Sequence, residues 1–317
     1  MSADQPLLTL RLDAIRYAAA DTHLFEFAAA DGAALPAYEP GAHIDLHMPG
    51  GILRQYSLAR PYRADRGYLV GIKLDAATRG GSRFMLNQAR VGESFQVSAP
   101  RNNFPLHEDA PHTVLIAGGI GITPIWCMAQ RLAETGAAFE LRYAVRTRAD
   151  AAFLAELEAM SPRARLHVDA EAAGVLDIPA ILTAAPRDAH LYCCGPGPML
   201  AAFEAASAGW PAEQVHVEYF SAPPPEPLEG GFVVELARSG LKLAIGPGTT
   251  ILDQVRAAGV AAPSSCEQGV CGACETRVIE GVPDHRDHIL SPSERRENKT
   301  MMICCSGALS DKLVLDL

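Results

Sequence analysis

Four cysteines in the last quarter of the chain constrain it more than any other feature. Cys266, Cys271 and Cys274 follow the pattern C-x4-C-x2-C, and Cys304 lies thirty positions after Cys274. A loop that presents three thiolates at short intervals, with a distant segment supplying a fourth, is the ligand pattern of a [2Fe–2S] cluster. Gly269 and Gly272 suit such a loop, because glycine reaches φ > 0 and lets the backbone approach the sulfurs closely. Ser264 and Ser265 are candidate hydroxyl donors to the same site. A zinc site, a redox dithiol and buried structural cysteines are the competing readings. Zinc sites favour paired C-x2-C knuckles, and only Cys271 and Cys274 form one. The sequence permits either Cys304 or Cys305 as the fourth ligand, and Cys304 is the assignment adopted.

The rest of the chain limits what that cluster can belong to. Its 317 residues exceed one ordinary core, and three domains are expected. Hydrophobic residues make up 49% and charged residues 20%, an ordinary globular composition. A formal net charge of −10 without a basic stripe argues against nucleic acid as a partner. The first residues show no basic segment followed by an apolar one, and no run of about 18 apolar residues occurs, so neither a signal peptide nor a membrane span is expected. The expected location is the cytoplasm, where eight cysteines read as ligands or free thiols rather than as a disulfide framework.

Around the cysteines, Phe232 to Leu236 and Leu241 to Ala244 alternate as two strands joined at Ser239-Gly240. Thr249 or Thr250 can cap a helix over 251–256, which Gly259 ends. A hairpin, a helix and then a cluster loop resemble the β-grasp fold of plant-type ferredoxins, expected over 231–317. The Pro-rich stretch 223–230 reads as a semi-rigid linker.

Residues 107–222 read as an α/β domain with a parallel sheet. Thr113 to Ala117 form a buried strand, and Gly118-Gly119-Ile120-Gly121-Ile122-Thr123-Pro124 turn it into a helix, with Thr123 as cap and Pro124 at N1. Free amides at such a turn can bind the pyrophosphate of a dinucleotide, although the third glycine of G-x-G-x-x-G is missing. A second strand ends in Cys194-Gly195-Pro196 before another helix. Cys194 either sits beside the nicotinamide or is a small buried residue.

Residues 1–106 read as an antiparallel β-barrel, with strands over 23–28, 42–48, 55–59, 68–74 and 94–98. Alternation puts Arg54, Tyr56 and Leu58 on one face, an aromatic beside a cation, which suits a flat ring that carries a phosphate. Thr78-Arg79-Gly80-Gly81-Ser82-Arg83 opens a helix with Ser82 as cap and forms a second candidate anion site.

In this order, Arg54-x-Tyr56-Ser57, Gly80-Gly81-Ser82, Gly119-x-Gly121-x-Thr123-Pro124, Cys194-Gly195-Pro196 and the cysteine loop resemble the phthalate dioxygenase reductase family from end to end. The resemblance implies FMN at Arg54, Tyr56 and Ser57, with Ser57 beside the flavin N5 edge, Arg54 near the phosphate, Gly80, Gly81 and Ser82 around it, and Ile72 and Lys73 along the ring. It implies NADH at Gly118, Gly119, Gly121, Thr123, Pro124, Cys194, Gly195 and Pro196. Phe220 matches a family aromatic near the flavin, or is a core aromatic. FMN rather than FAD rests on the family alone. Arg146 and Arg148 stand where a ribose-binding acid is expected, with Asp150 slightly beyond, and the arginines read either as contacts to a 2′-phosphate or as solvated loop charges.

The mechanism follows from counting electrons. A nicotinamide yields a hydride, a [2Fe–2S] cluster takes one electron, and a flavin between them can do both. No acid or base is needed, and His285 and His288 read as surface or hydrogen-bonding residues. The resemblance implies a Rieske-type aromatic oxygenase or O-demethylase as acceptor. A cytochrome P450 or other haem oxygenase is the alternative acceptor, and a redox sensor or binding module without turnover is the alternative of another class. The length needs no dimer, so a monomer is expected.

Overall fold

The computed structural model describes residues 7–75, 80–172, 174–221 and 229–317. Thr78, Arg79 and most of the Pro-rich stretch lie outside these described residues. Two compact units are present, one over 5–220 and one that includes 221–317.

In the first unit, β1 (Leu8–Ala19), β2 (Thr22–Ala29), β3 (Ala42–Met48), β4 (Ile52–Ser57), β5 (Tyr68–Lys73), β6 (Ser94–Val97) and β7 (Arg101–Asn102) form one sheet around helix α1 (Gly81–Asn87). Its order is β4-β3-β6-β1-β2-β5, with β7 on β3. An antiparallel bridge between Leu58 and Val70 joins the two ends and closes the barrel. Alternate residues point inward, so Leu12, Phe25, Phe27, Ile44, Leu46 and Val97 make the barrel core. Helix α1 starts one residue before Ser82, and its N-cap is Gly80 at φ +102°, a conformation that glycine adopts readily. Ser82 is therefore not the cap; its Oγ accepts from the Asp75 amide at 3.2 Å.

The chain continues through β8 (Thr113–Gly118), α2 (Ile122–Thr135), β9 (Phe139–Val145), α3 (Leu154–Ala159), β10 (Ala164–Val168), α4 (Ile178–Ala184), β11 (His190–Cys194), α5 (Gly197–Ser207) and β12 (Val215–Glu218). All pairings are parallel, in the order β10-β9-β8-β11-β12. Central strand β8 is buried at all six positions because helices cover both faces of the sheet. The barrel and this sheet share apolar packing: Ala59, Leu69 and Phe104 join Leu115, Ile122 and Trp126 in one core.

The second unit contains β13 (Phe232–Leu236), β14 (Lys242–Ile245), α6 (Ile251–Ala257), β15 (Glu275–Glu280), β16 (Pro283–Asp284), α7 (Pro292–Glu297), β17 (Thr300–Met302), β18 (Gly307–Ala308) and β19 (Lys312–Leu315). Its main sheet runs β14-β13-β19-β15-β17, with β13 and β19 parallel. Thr250 caps α6 in a reciprocal pair with Asp253, and Gly259 follows the helix at φ +77°. Ile251, Leu252 and Val255 of α6 pack onto Val234, Leu236 and Leu313 of the sheet.

Candidate functional site

The strand order of the parallel sheet reverses between β8 and β11, and the loops leaving these two strands meet there. In open α/β sheets such a crevice, beyond the carboxyl ends of the strands, is where nucleotides bind. A short 3-10 turn over Gly119–Gly121 leads into α2. It brings the two loops into contact, because a Cβ on Gly121 would lie 2.2 Å from the Cys194 carbonyl oxygen. The same turn touches the barrel, where a Cβ on Gly71 of β5 would lie 2.6 Å from Thr123 Cγ2.

This turn displaces the expected cap. Thr123 is the second residue of α2, and its hydroxyl donates back to the Ile120 carbonyl at 3.0 Å; Pro124 is the third residue rather than N1. Gly118 ends β8, and Gly195 and Pro196 follow β11, with Pro196 preceding the first turn of α5. Cys194 is fully buried at the end of β11, its thiol pushed well up by burial and by the neighbouring Glu218 carboxyl.

On the barrel side, Ser57 closes β4 and is 5% exposed, while Arg54 and Tyr56 precede it on that strand. The stem of Arg54 lies over α1, since a Cβ on Gly81 would come within 2.6 Å of Arg54 Cγ. Arg54, Gly80, Gly81 and Ser82 are thus gathered in one place, where a cation adjoins backbone amides and a hydroxyl. Ile72 points into the barrel core, so only its backbone is available to a ligand, and its neighbours Gly71 and Lys73 face the other way. Lys73 Nζ lies 3.3 Å from Asp150 Oδ1. Phe220 is 42% exposed and is not a core residue.

One residue escaped sequence reasoning. Glu218 ends β12 and brings its carboxyl to Ser57 and Cys194. Burial pushes this carboxyl up to about 8, against the opposing pull of the nearby Ser57 hydroxyl and Cys194 thiol. Its Oε2 is buried with no hydrogen-bond partner among the described residues. A buried polar atom left open beside Ser57, together with the Arg54 side chain lying against Gly81, fits a polar ring system that carries a phosphate.

The loop after β9 engages its own charges. Asp150 closes a capping box with Thr147 and pairs with Lys73, which holds its carboxyl below the usual range. Arg148 makes a bidentate contact to Glu171 at 3.2 and 3.1 Å. Arg148 is thus paired with Glu171 at the surface of its loop.

In the second unit the cysteine loop wraps its own sulfurs. The Gln268 amide donates to Cys266 Sγ at 3.3 Å, and the Cys266 and Ala273 amides each reach Cys271 Sγ at 3.5 Å. Gly269 and Gly272 adopt φ +71° and +73°. Cys271, Cys274 and Cys304 are buried and Cys266 is partly exposed. Two thiols are pulled down, Cys266 by its contact with Cys271 and Cys304 by its contact with Cys274. Cys305 Sγ lies beside the Cys304 thiol and against Gly269 of the loop, where a Cβ would come within 2.5 Å of it, and also 3.7 Å from the Met302 carbonyl oxygen and 3.9 Å from Ser306 Oγ; it is Cys304, however, that pairs with Cys274. Four sulfurs in one pocket with amides aimed at them suit a cluster of bridged irons. Ser264 accepts from Arg256. The His285 side chain is buried and bonded to Asn298 at 3.0 Å, whereas His288 is exposed.

Comparison with known proteins agrees with both units. Residues 115–205 match the model of the oxidoreductase NAD-binding domain, and residues 234–309 match that of the 2Fe-2S iron-sulfur cluster binding domain. The chain is 51% identical over 310 residues to phenoxybenzoate dioxygenase subunit beta of Ectopseudomonas oleovorans, covering 98% of this chain and 97% of that protein. Among solved structures it matches phthalate dioxygenase reductase, described as a modular structure for electron transfer from pyridine nucleotides to [2Fe–2S], with TM-score 0.74 and 35% identity over 98% of each chain. It also matches an intact type IV self-sufficient cytochrome P450 monooxygenase, with TM-score 0.89 and 38% identity, covering 98% of this chain but only 41% of that one. No helix among the described residues is long and apolar enough to cross a membrane. With relatives of this identity matched from end to end, the chain belongs to the phthalate dioxygenase reductase family, the FMN-, NADH- and [2Fe–2S]-dependent oxidoreductases that serve oxygenase systems.

Proposed function

We propose that this chain is the cytoplasmic, monomeric reductase of a two-component Rieske-type aromatic oxygenase or O-demethylase. Three modules divide the work: a flavin barrel over 1–106, a nucleotide domain over 107–222 and, after the linker at 223–230, a ferredoxin module over 231–317. Arg54, Tyr56, Ser57, Gly80, Gly81 and Ser82 hold FMN, with the Ile72 backbone and Lys73 along it. The loops at Gly118–Pro124 and Cys194–Pro196 hold NADH, and Cys266, Cys271, Cys274 and Cys304 hold the cluster.

The observation that carries this reading is the convergence of Ser57, Cys194 and Glu218 where the nucleotide crevice opens onto the barrel. When bound, the flavin supplies the conversion of a two-electron hydride into single electrons. The chain's own residues position the exchange. The packing of Gly71 on Thr123 holds barrel and crevice together, and the neutral Glu218 carboxyl can donate or accept a hydrogen bond at the ring edge without adding charge.

The test is a visible spectrum and EPR of the purified protein before and after anaerobic NADH, with a parallel NADPH titration. Flavin bleaching and a rhombic [2Fe–2S] signal after NADH are expected. An intact, folded sample lacking iron or flavin would return the chain to a binding module without turnover, as would failure to reduce an artificial acceptor with NADH. A second acceptor class, a cytochrome P450, is favoured by the match to the self-sufficient P450 monooxygenase. NADH-driven reduction of a Rieske protein and of a P450, measured side by side, separates the two.

A further inference from the structure

Three imidazoles converge at the end of β11 and β12 opposite the nucleotide loops. His107 comes from the connector between barrel and parallel sheet, His190 opens β11 and His216 is the second residue of β12. His190 Nδ1 lies 3.0 Å from His216 Nε2. The ring centroids are 4.8, 4.9 and 5.3 Å apart, and one ring nitrogen from each residue lies within 4.8 Å of the other two.

The arrangement is built into the fold rather than gathered by chance on a loop. Parallel pairing sets Tyr192 opposite His216, and their rings stack with centroids 4.3 Å apart. The Tyr192 hydroxyl accepts from the His107 amide at 2.9 Å and donates to the Pro105 carbonyl at 3.3 Å. One tyrosine thus supports a histidine on its own sheet and fixes the connector that carries another. His190 and Cys194 are four residues apart on β11, roughly 13 Å at the rise of a strand, so the cluster is separate from the crevice.

Tetrahedral zinc with nitrogen ligands at about 2.0–2.1 Å places those nitrogens roughly 3.3–3.4 Å apart. His190 Nδ1 and His216 Nε2 share a hydrogen bond at 3.0 Å, so a metal would replace the shared proton and the two nitrogens would open to that spacing. His107 is exposed and can bring the third nitrogen in by a small rotation. Three imidazoles suit a borderline transition metal, whereas magnesium and calcium require oxygen ligands.

We propose that His107, His190 and His216 form a site for one divalent transition-metal cation of the zinc class, with a fourth position open to water. The ion would fasten the connector to the edge of the parallel sheet.

The test uses the full flavin- and cluster-loaded chain, dialysed against chelator and then against ZnCl2, with zinc and iron counted by mass spectrometry. His107→Gln and His190→Ala are compared with wild type, and NADH–ferricyanide activity checks that each is intact; His107 is exposed, so its variant tests the site without disturbing the core. Wild type is expected to bind one zinc more than either variant at unchanged iron, with affinity lowered by either substitution by at least the roughly 10- to 100-fold that loss of an outer-shell partner costs, and excess MgCl2 is not expected to compete. Equal zinc content in all three proteins, or displacement by magnesium, would overturn the proposal.

Discussion

The Glu218 carboxyl meets the Ser57 hydroxyl across the seam between parallel sheet and barrel, joining the last strand of one to β4 of the other. The unfolded carboxyl loses its proton near 4.5, while the folded one keeps it up to about 8. The folded state therefore binds the extra proton between those values, and stability falls as pH rises through that window. Glu218→Gln removes this slope. Its melting temperature relative to wild type should climb from about pH 5 to about pH 8 and level off above, by roughly 2–4 °C for each kcal/mol recovered. Parallel curves of melting temperature against pH would show that the carboxyl is not held neutral.

The two adjacent cysteines should behave differently. Cys304→Ser is expected to lose the cluster signal and most of the bound iron, because Cys304 faces Cys274. Cys305→Ser should keep both, since Cys304 rather than Cys305 is the partner of Cys274. Iron analysis and EPR of the two variants decide this, and the opposite pattern would exchange their roles.

Gly121 admits no side chain where it passes Cys194. Gly121→Ala would press a methyl group onto the Cys194 carbonyl oxygen, at 2.2 Å before relaxation, and should cost about 1–3 kcal/mol in denaturant unfolding. NADH should bind more weakly in the same variant. Unchanged stability and affinity would mean that the two loops move apart freely.

Arg54→Ala should weaken FMN binding by about 10- to 100-fold, the worth of one charge-assisted hydrogen bond at roughly 1.5–3 kcal/mol. Fluorescence titration of the flavin-free protein measures it. An unaltered affinity would remove Arg54 from the phosphate site.

Glu171→Ala should release Arg148 from its bidentate contact and raise kcat/KM for NADPH relative to NADH modestly, since an exposed ion pair holds its arginine only weakly. Steady-state rates with both nucleotides test this. No change would leave Arg148 outside the nucleotide site.

Much of this was legible in the sequence because the informative residues lie close together along the chain. The cysteine loop, the glycine turns and the hairpin at Ser239-Gly240 each carry their own local spacing. The ends of α1 and α2 were misread for a physical reason: Gly80 takes the cap of α1, and a 3-10 turn starts α2 one residue ahead of Thr123. Strand β1 carries register shifts between Leu12 and Ala14 and between Tyr17 and Ala19, which break the alternation that would announce it. Glu218 had no local signal at all. It ends a short strand, Val215-His216-Val217-Glu218, and acquires its meaning only when folding brings it to Ser57.

The parallel pairing of β13 with β19 sets a schedule for the second unit. The strand that opens the module has as its inner neighbour one that is synthesised after the cysteine loop. A nascent chain that has already exposed its cysteine loop still lacks the middle of its sheet, and such distant partners are slow to find. Iron delivery should therefore follow the emergence of Lys312–Leu315 from the ribosome, because that strand joins β13 to β15 and completes the sheet beneath the cysteine loop.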